Sequence, residues 1–179
     1  DKVTVQNADK LLKKLQLLPD SVKNDILKKG VNRAGLLVRN QARLLINSNS
    51  GNLARSVRNK TDIKNDKVIS TVYTKKKYAS YYELGTGPVG QKNHEGISPE
   101  IHPKYSQTGW LIPGDAMSVD DAEYYGLGIV ENEGEVIGYY TNGMPARPFM
   151  YPALHDQEKD IANYLNKYIG KEIAKVMKK

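Results

Sequence analysis

The chain has 179 residues and a net charge of +7, from 27 Lys and Arg against 20 Asp and Glu. With no cysteine, it has no disulfide, no thiolate nucleophile and no Cys-based zinc site. No run approaches the roughly 18 apolar residues that cross a bilayer, and Asp1 to Gln6 lack the basic-then-apolar layout of a signal peptide.

From the N-terminus, Asn7 to Leu18 is predicted as a helix capped by Asn7, with Leu11, Leu12, Leu15 and Leu18 on one stripe. Pro19 ends it. Asp20 or Ser21 then caps a longer helix to about Asn47, apolar at Val22, Ile26, Val31, Ala34, Val38 and Leu45. Gly30 and Gly35 each weaken that helix by about 1 kcal/mol relative to Ala. A bend, or another backbone passing close, would explain them. Asn47 to Asn52 is a polar turn segment.

Two strands follow, Leu53 to Ile63 and Lys67 to Thr74, joined by Lys64-Asn65-Asp66. In the second, Val68, Ser70 and Val72 alternate with Ile69, Thr71 and Tyr73, the period of a strand. Residues 85–124 are rich in Gly and Pro and are expected to form a long loop insert. A second hairpin spans 125–141, with strands Tyr125 to Val130 and Glu135 to Thr141. Pro145 and Pro148 keep the next segment extended. Pro152 opens a last helix, 152–178, with an apolar stripe at Leu154, Ile161, Leu165, Ile169, Ile173 and Val176.

The expected architecture is α+β: one domain over 1–179, with an antiparallel sheet of two hairpins packed by the helical N-terminal part, 7–47, and the C-terminal helix. The first hairpin and its following segment occupy 53–84. Twelve tyrosines against one Phe and one Trp suit either a sheet with one wet face or protein–protein contacts.

No segment carries a catalytic pattern. Gly85-Thr86-Gly87-Pro88-Val89-Gly90 spells the dinucleotide turn, but Pro88 interrupts it and no helical stripe follows. His94 and His102 share the insert with Glu95, Glu100 and Asp115 without metal-ligand spacing. There is no G-x-S-x-G. No enzyme activity, cofactor or metal is expected. The basic excess is compatible with an acidic partner, nucleic acid included. Lysines along the terminal helices are as readily a solvated face.

Three segments carry a resemblance: Ser50-Gly51-Asn52-Leu53-Ala54-Arg55-Ser56, Tyr78-Ala79-Ser80-Tyr81-Tyr82-Glu83-Leu84-Gly85-Thr86, and Arg147-Pro148-Phe149-Met150-Tyr151-Pro152-Ala153. In order, and with helices before the first and after the last, they resemble the tail-component family of long-tailed bacteriophages. Ser50 replaces the usual Thr, and Arg55 stands one place late. The resemblance implies a structural role in the virion, at the head–tail junction or tail end. It implies a homo-oligomeric ring touching terminator, tube and connector proteins, with host-cytoplasmic assembly and non-specific contact with DNA in the channel. Gly51, Leu53, Glu83, Gly85, Arg147 and Phe149 are then candidates for fold or interface, with Glu83 and Arg147 suited to a charge-assisted bond. Lys75, Lys76 and Lys77 are candidates to face DNA, or form a solvated turn. The alternative is a basic nucleic-acid-binding module acting alone.

Overall fold

The computed structural model describes residues 8–47 and 51–178; the expected cap at Asn7 and the motif position Ser50 lie outside them. In chain order the elements are α1 (Ala8–Gln16), α2 (Asp20–Leu45), α3 (Asn52–Ser56), β1 (Arg58–Lys64), β2 (Lys67–Tyr73), α4 (Ala79–Leu84), α5 (Gly87–Lys92), β3 (Trp110–Pro113), a 3-10 turn (Gly114–Ala116), α6 (Val119–Tyr124), β4 (Gly128–Asn132), β5 (Glu135–Thr141), α7 (Met150–His155) and α8 (Glu158–Val176). They fall into two compact units, Asp1–Ala79 with Phe149–Lys179, and Ser80–Pro148. The class is α+β, with helices at both ends of the chain, as the periodicities imply.

In the first unit α2 is the central element, and β1, β2, α7 and α8 all pack against it. Its buried positions Ile26, Gly30, Ala34, Val38 and Ala42 recur at intervals of four, with Gly35 beside them. Neither Asp20 nor Ser21 caps it. Pro19 holds the cap position, and its carbonyl accepts from Val22 N and Lys23 N at 3.0 Å each. Asp20 instead bonds Lys23 in the first turn, which holds its carboxyl below the usual range.

β1 and β2 form an antiparallel hairpin in which Thr61 faces Ser70 and Lys64 faces Lys67. Asn65 and Asp66 both have positive φ, 49° and 59°. Two consecutive left-handed residues make the turn whose twist matches that of the strands. One face of the hairpin lies on α2. Asn59 Nδ2 and Thr61 Oγ1 both donate to Asn32 Oδ1, at 3.1 and 3.0 Å, and Thr61 Oγ1 also lies 3.0 Å from Ser70 Oγ. Gly35 is the point of closest approach: a Cβ there would overlap the Ser70 hydroxyl and stand 2.9 Å from Ser70 Cβ.

Four expectations need correction. Residues 53–56 are helical, not strand, because Leu53 and Val57, four apart, turn one face inward and are 1% and 0% exposed. The expected insert is not one loop: α5, β3, the 3-10 turn and α6 lie within it. Pro88 sits in the first turn of α5, where its missing N–H costs nothing. The two hairpins also belong to separate sheets. β5 is central in the second unit's sheet, flanked by β4 and by β3 from the expected insert. Tyr139 of β5 is buried there, its hydroxyl donating to Met117 O at 3.1 Å. The last helix is divided as well. After α7, Gln157 N bonds Leu154 O three residues back, a tightened turn that separates it from α8.

Gly35→Ala is expected to destabilise by about 1–3 kcal/mol through overpacking, more than offsetting the helix preference gained. Gly30→Ala meets only the edge of the Tyr168 ring, 2.9 Å away at Cδ1, which a small ring tilt relieves. Urea unfolding should therefore rank Gly35→Ala well below Gly30→Ala; equal stabilities would contradict the close approach.

Candidate functional site

The residues singled out by sequence separate into three places. Gly51 and Leu53 belong to the start of α3. Gly51 is left-handed at φ 62°, and its carbonyl accepts from Arg55 N at 3.0 Å, so it opens the turn that buries Leu53. Phe149 lies in the same unit, 1% exposed at the N-terminus of α7. A fully buried phenylalanine is a packing element, so removing it would leave a cavity.

Glu83, Gly85 and Arg147 lie in the second unit, where residues 142–147 run along α4 and α5. Thr86 N donates to Met144 O at 2.9 Å and Met144 N to Thr86 O at 3.2 Å. Val89 N reaches Asn142 O at 3.1 Å, Ala146 N reaches Asn93 O at 2.8 Å, and Arg147 N reaches Tyr82 O at 2.8 Å. Gly85 stands in the middle of this lacing at φ 75°, where a Cβ would come 2.7 Å from Ala146 N and 2.9 Å from Met144 O. The Arg147 guanidinium lies 5.8 Å from the Tyr82 ring centre, within reach of a cation–π contact. Arg147 itself is exposed, while Glu83 is half-buried on α4, one residue beyond Tyr82.

Two of the three histidines stack on tyrosines, and His102 is exposed. His94 lies 5.7 Å from the Tyr105 ring and 3.2 Å through Nδ1 from Gly90 O, and His155 lies 5.2 Å from the Tyr151 ring. Tyr105 in turn donates to Leu84 O at 2.8 Å, and burial pushes its phenol above the ordinary value. Among the described residues no group of three His, Asp or Glu is placed to hold a metal ion. None of their helices is long and apolar enough to cross a membrane.

The third place is the first hairpin and the segment after it. Lys75, Lys76 and Lys77 follow β2 directly and are all exposed. Lys76 N bonds Thr74 Oγ1 at 3.2 Å and its carbonyl accepts from Ala79 N at 3.0 Å, so the run is a formed turn. Nearby, Arg43 donates through Nη2 to Val57 O at 2.7 Å. Desolvation, then Arg39 and Arg58, lowers its pKa, so positive charges crowd the base of the hairpin. Sequence reading missed this crowding, because Arg39, Arg43 and Arg58 meet only once α2 and β1 are packed.

Residues 9–85 match the family model described as Bacteriophage HK97-gp10, putative tail-component. The matched region of the tail-component family runs from α1 through the hairpin to Gly85, taking in Leu53, Lys75 to Lys77 and Glu83; the segment around Arg147 and Phe149 lies beyond it. No curated protein and no solved structure matches the chain.

Gly85→Ala should destabilise more than Gly51→Ala. Both lose the left-handed freedom of glycine, about 1–2 kcal/mol, but only Gly85 faces fixed backbone atoms; Gly51 faces the mobile tip of Arg55. Phe149→Ala should cost about 3–5 kcal/mol. Thermal unfolding of the three variants checks the order, and a Gly51→Ala loss as large as that of Gly85→Ala would contradict it.

Proposed function

We propose that the protein is a structural part of a phage virion at the head–tail junction or tail end, where it assembles with itself as a ring and binds neighbouring neck and tail proteins. The tail-component match over residues 9–85 carries this reading. A tail component is a structural part of the virion, and its chemistry is that of surfaces rather than of a reacting centre.

The apolar surface supports self-assembly. Leu37 and Leu44 lie seven residues apart on one stripe of α2, 42% and 79% exposed. Tyr81 on α4 is 60% exposed, next to the buried Tyr82. Exposed apolar pairs and tyrosines are the material of interface cores. On this reading Leu53, Phe149, Gly51 and Gly85 maintain the fold. Glu83 and Arg147 are the charged pair for a bond within or between subunits. One domain over the whole chain, assembled in the host cytoplasm and carried into the particle, fits the same picture.

A phage lacking the gene should give DNA-filled heads and separate tails by electron microscopy. Normal yields of joined, infectious particles would contradict the assignment. The purified chain should run by light scattering as a multiple of its 20.0 kDa mass. Leu37→Ser with Leu44→Ser should shift it toward the monomer while leaving its helicity unchanged.

A further inference from the structure

The first hairpin has a chemical asymmetry that strand geometry makes unambiguous. Successive side chains in a strand point to opposite faces, and paired residues share a face. With the pairings Arg58 to Tyr73, Lys60 to Thr71, Asp62 to Ile69 and Lys64 to Lys67, every charged residue of β1 and β2 stands on one side. The other side carries Asn59, Thr61, Ile63, Val68, Ser70 and Val72 and rests on α2 through Asn32 and Gly35. The charged side is open: Arg58, Lys60, Lys64 and Lys67 are all exposed. Its one carboxylate, Asp62, is matched by Lys60 at 2.9 Å. From Arg58 to Lys77 there are seven basic residues against two acidic, so most of the chain's excess positive charge sits in this short segment.

We propose that this outer face of the β1–β2 hairpin, continued by Lys75, Lys76 and Lys77, is a docking surface for the phosphate backbone of double-stranded DNA. Charge complementarity is the argument. Duplex DNA is a linear polyanion with one charge per about 1.7 Å of axis. Same-face residues on a strand recur about every 6.8 Å, so Arg58, Lys60 and Lys64 lie along a row about 20 Å long, interrupted only by Asp62. A two-stranded ribbon is also narrow enough to lie in the major groove. The side chains are long and flexible, and the pairing is with backbone charge, so the contact is independent of sequence. Tyr73, half-buried beside Arg58, adds a polar-tipped ring at the same face. An acidic protein surface would meet the same cations, and the test separates it from DNA.

The inference does not depend on ring formation or on position in the particle. It is tested on the full-length chain with a fluorescein-labelled 25-base-pair duplex of arbitrary sequence, titrated from 50 to 200 mM NaCl. A variant with Arg58, Lys60, Lys64 and Lys67 all changed to Gln should bind roughly tenfold or more weakly, and its log–log salt slope should fall by about 3–4. Because all four side chains are exposed, its circular dichroism and melting should stay close to the parent's. A control that loses the same charge elsewhere, with Lys13, Lys14, Lys167 and Lys171 changed to Gln, should keep most of the affinity and slope. An equal loss in the control would reduce the effect to net charge and overturn the proposal. So would absent binding at 50 mM NaCl, or hairpin-dependent binding of polyglutamate with none of DNA. Loss of DNA binding with self-association intact would sink this inference alone; loss of self-association with DNA binding intact would sink only the ring.

Discussion

The seating of the hairpin on α2 is the contact from which the rest of the first unit follows. At Gly35 the helix backbone comes so near Ser70 that no side chain larger than hydrogen fits, and one turn earlier Asn32 accepts from both Asn59 and Thr61. Such a seam is polar where a helix–sheet contact is ordinarily apolar, so it is selective. A buried acceptor that loses its donors costs more than the bonds themselves contribute. Since the side-chain period of a strand is two, slipping the hairpin by one residue would turn Lys60 and Lys64 onto the helix. The seam therefore sets which face is buried, and in doing so sets which face is charged.

The division of labour between packing and surface is consistent with a structural component. In the first unit Leu53, Val57, Phe149 and Ile173 are almost wholly buried, while Leu37 and Leu44 remain outside. In the second unit, the backbone lacing around Gly85 and Met144 fixes an extended segment without any buried charge. The family match, over residues 9–85, covers the seam and the hairpin together.

Much of this was legible in the residues because it is periodic. The helical spacing from Val22 to Leu45 implies α2, and the alternation from Val68 to Tyr73 implies β2. The two glycines of α2 suggest a bend or another backbone passing close; what lies close is instead side chains, Ser70 at Gly35 and Tyr168 at Gly30. The expected insert misled because its elements are short. α5 has six residues and β3 four, too few for a period to show, and β3 is completed only by its distant partner β5. Leu53 and Val57 read as strand from sequence because a single helical turn and a two-residue alternation look alike over five positions. The charged face of the hairpin needed the pairing register, which no local pattern supplies.

The natural absence of cysteine allows a direct measurement of the seam. Single cysteines placed in turn at residues 59 to 62 and 68 to 71 can be followed by their rate of reaction with a thiol reagent in the native chain. Alternation is expected: fast reaction at 60, 62, 69 and 71, and slow reaction at 59, 61, 68 and 70. Uniform rates along both strands, or the opposite alternation, would mean that the hairpin does not rest on α2 by this face.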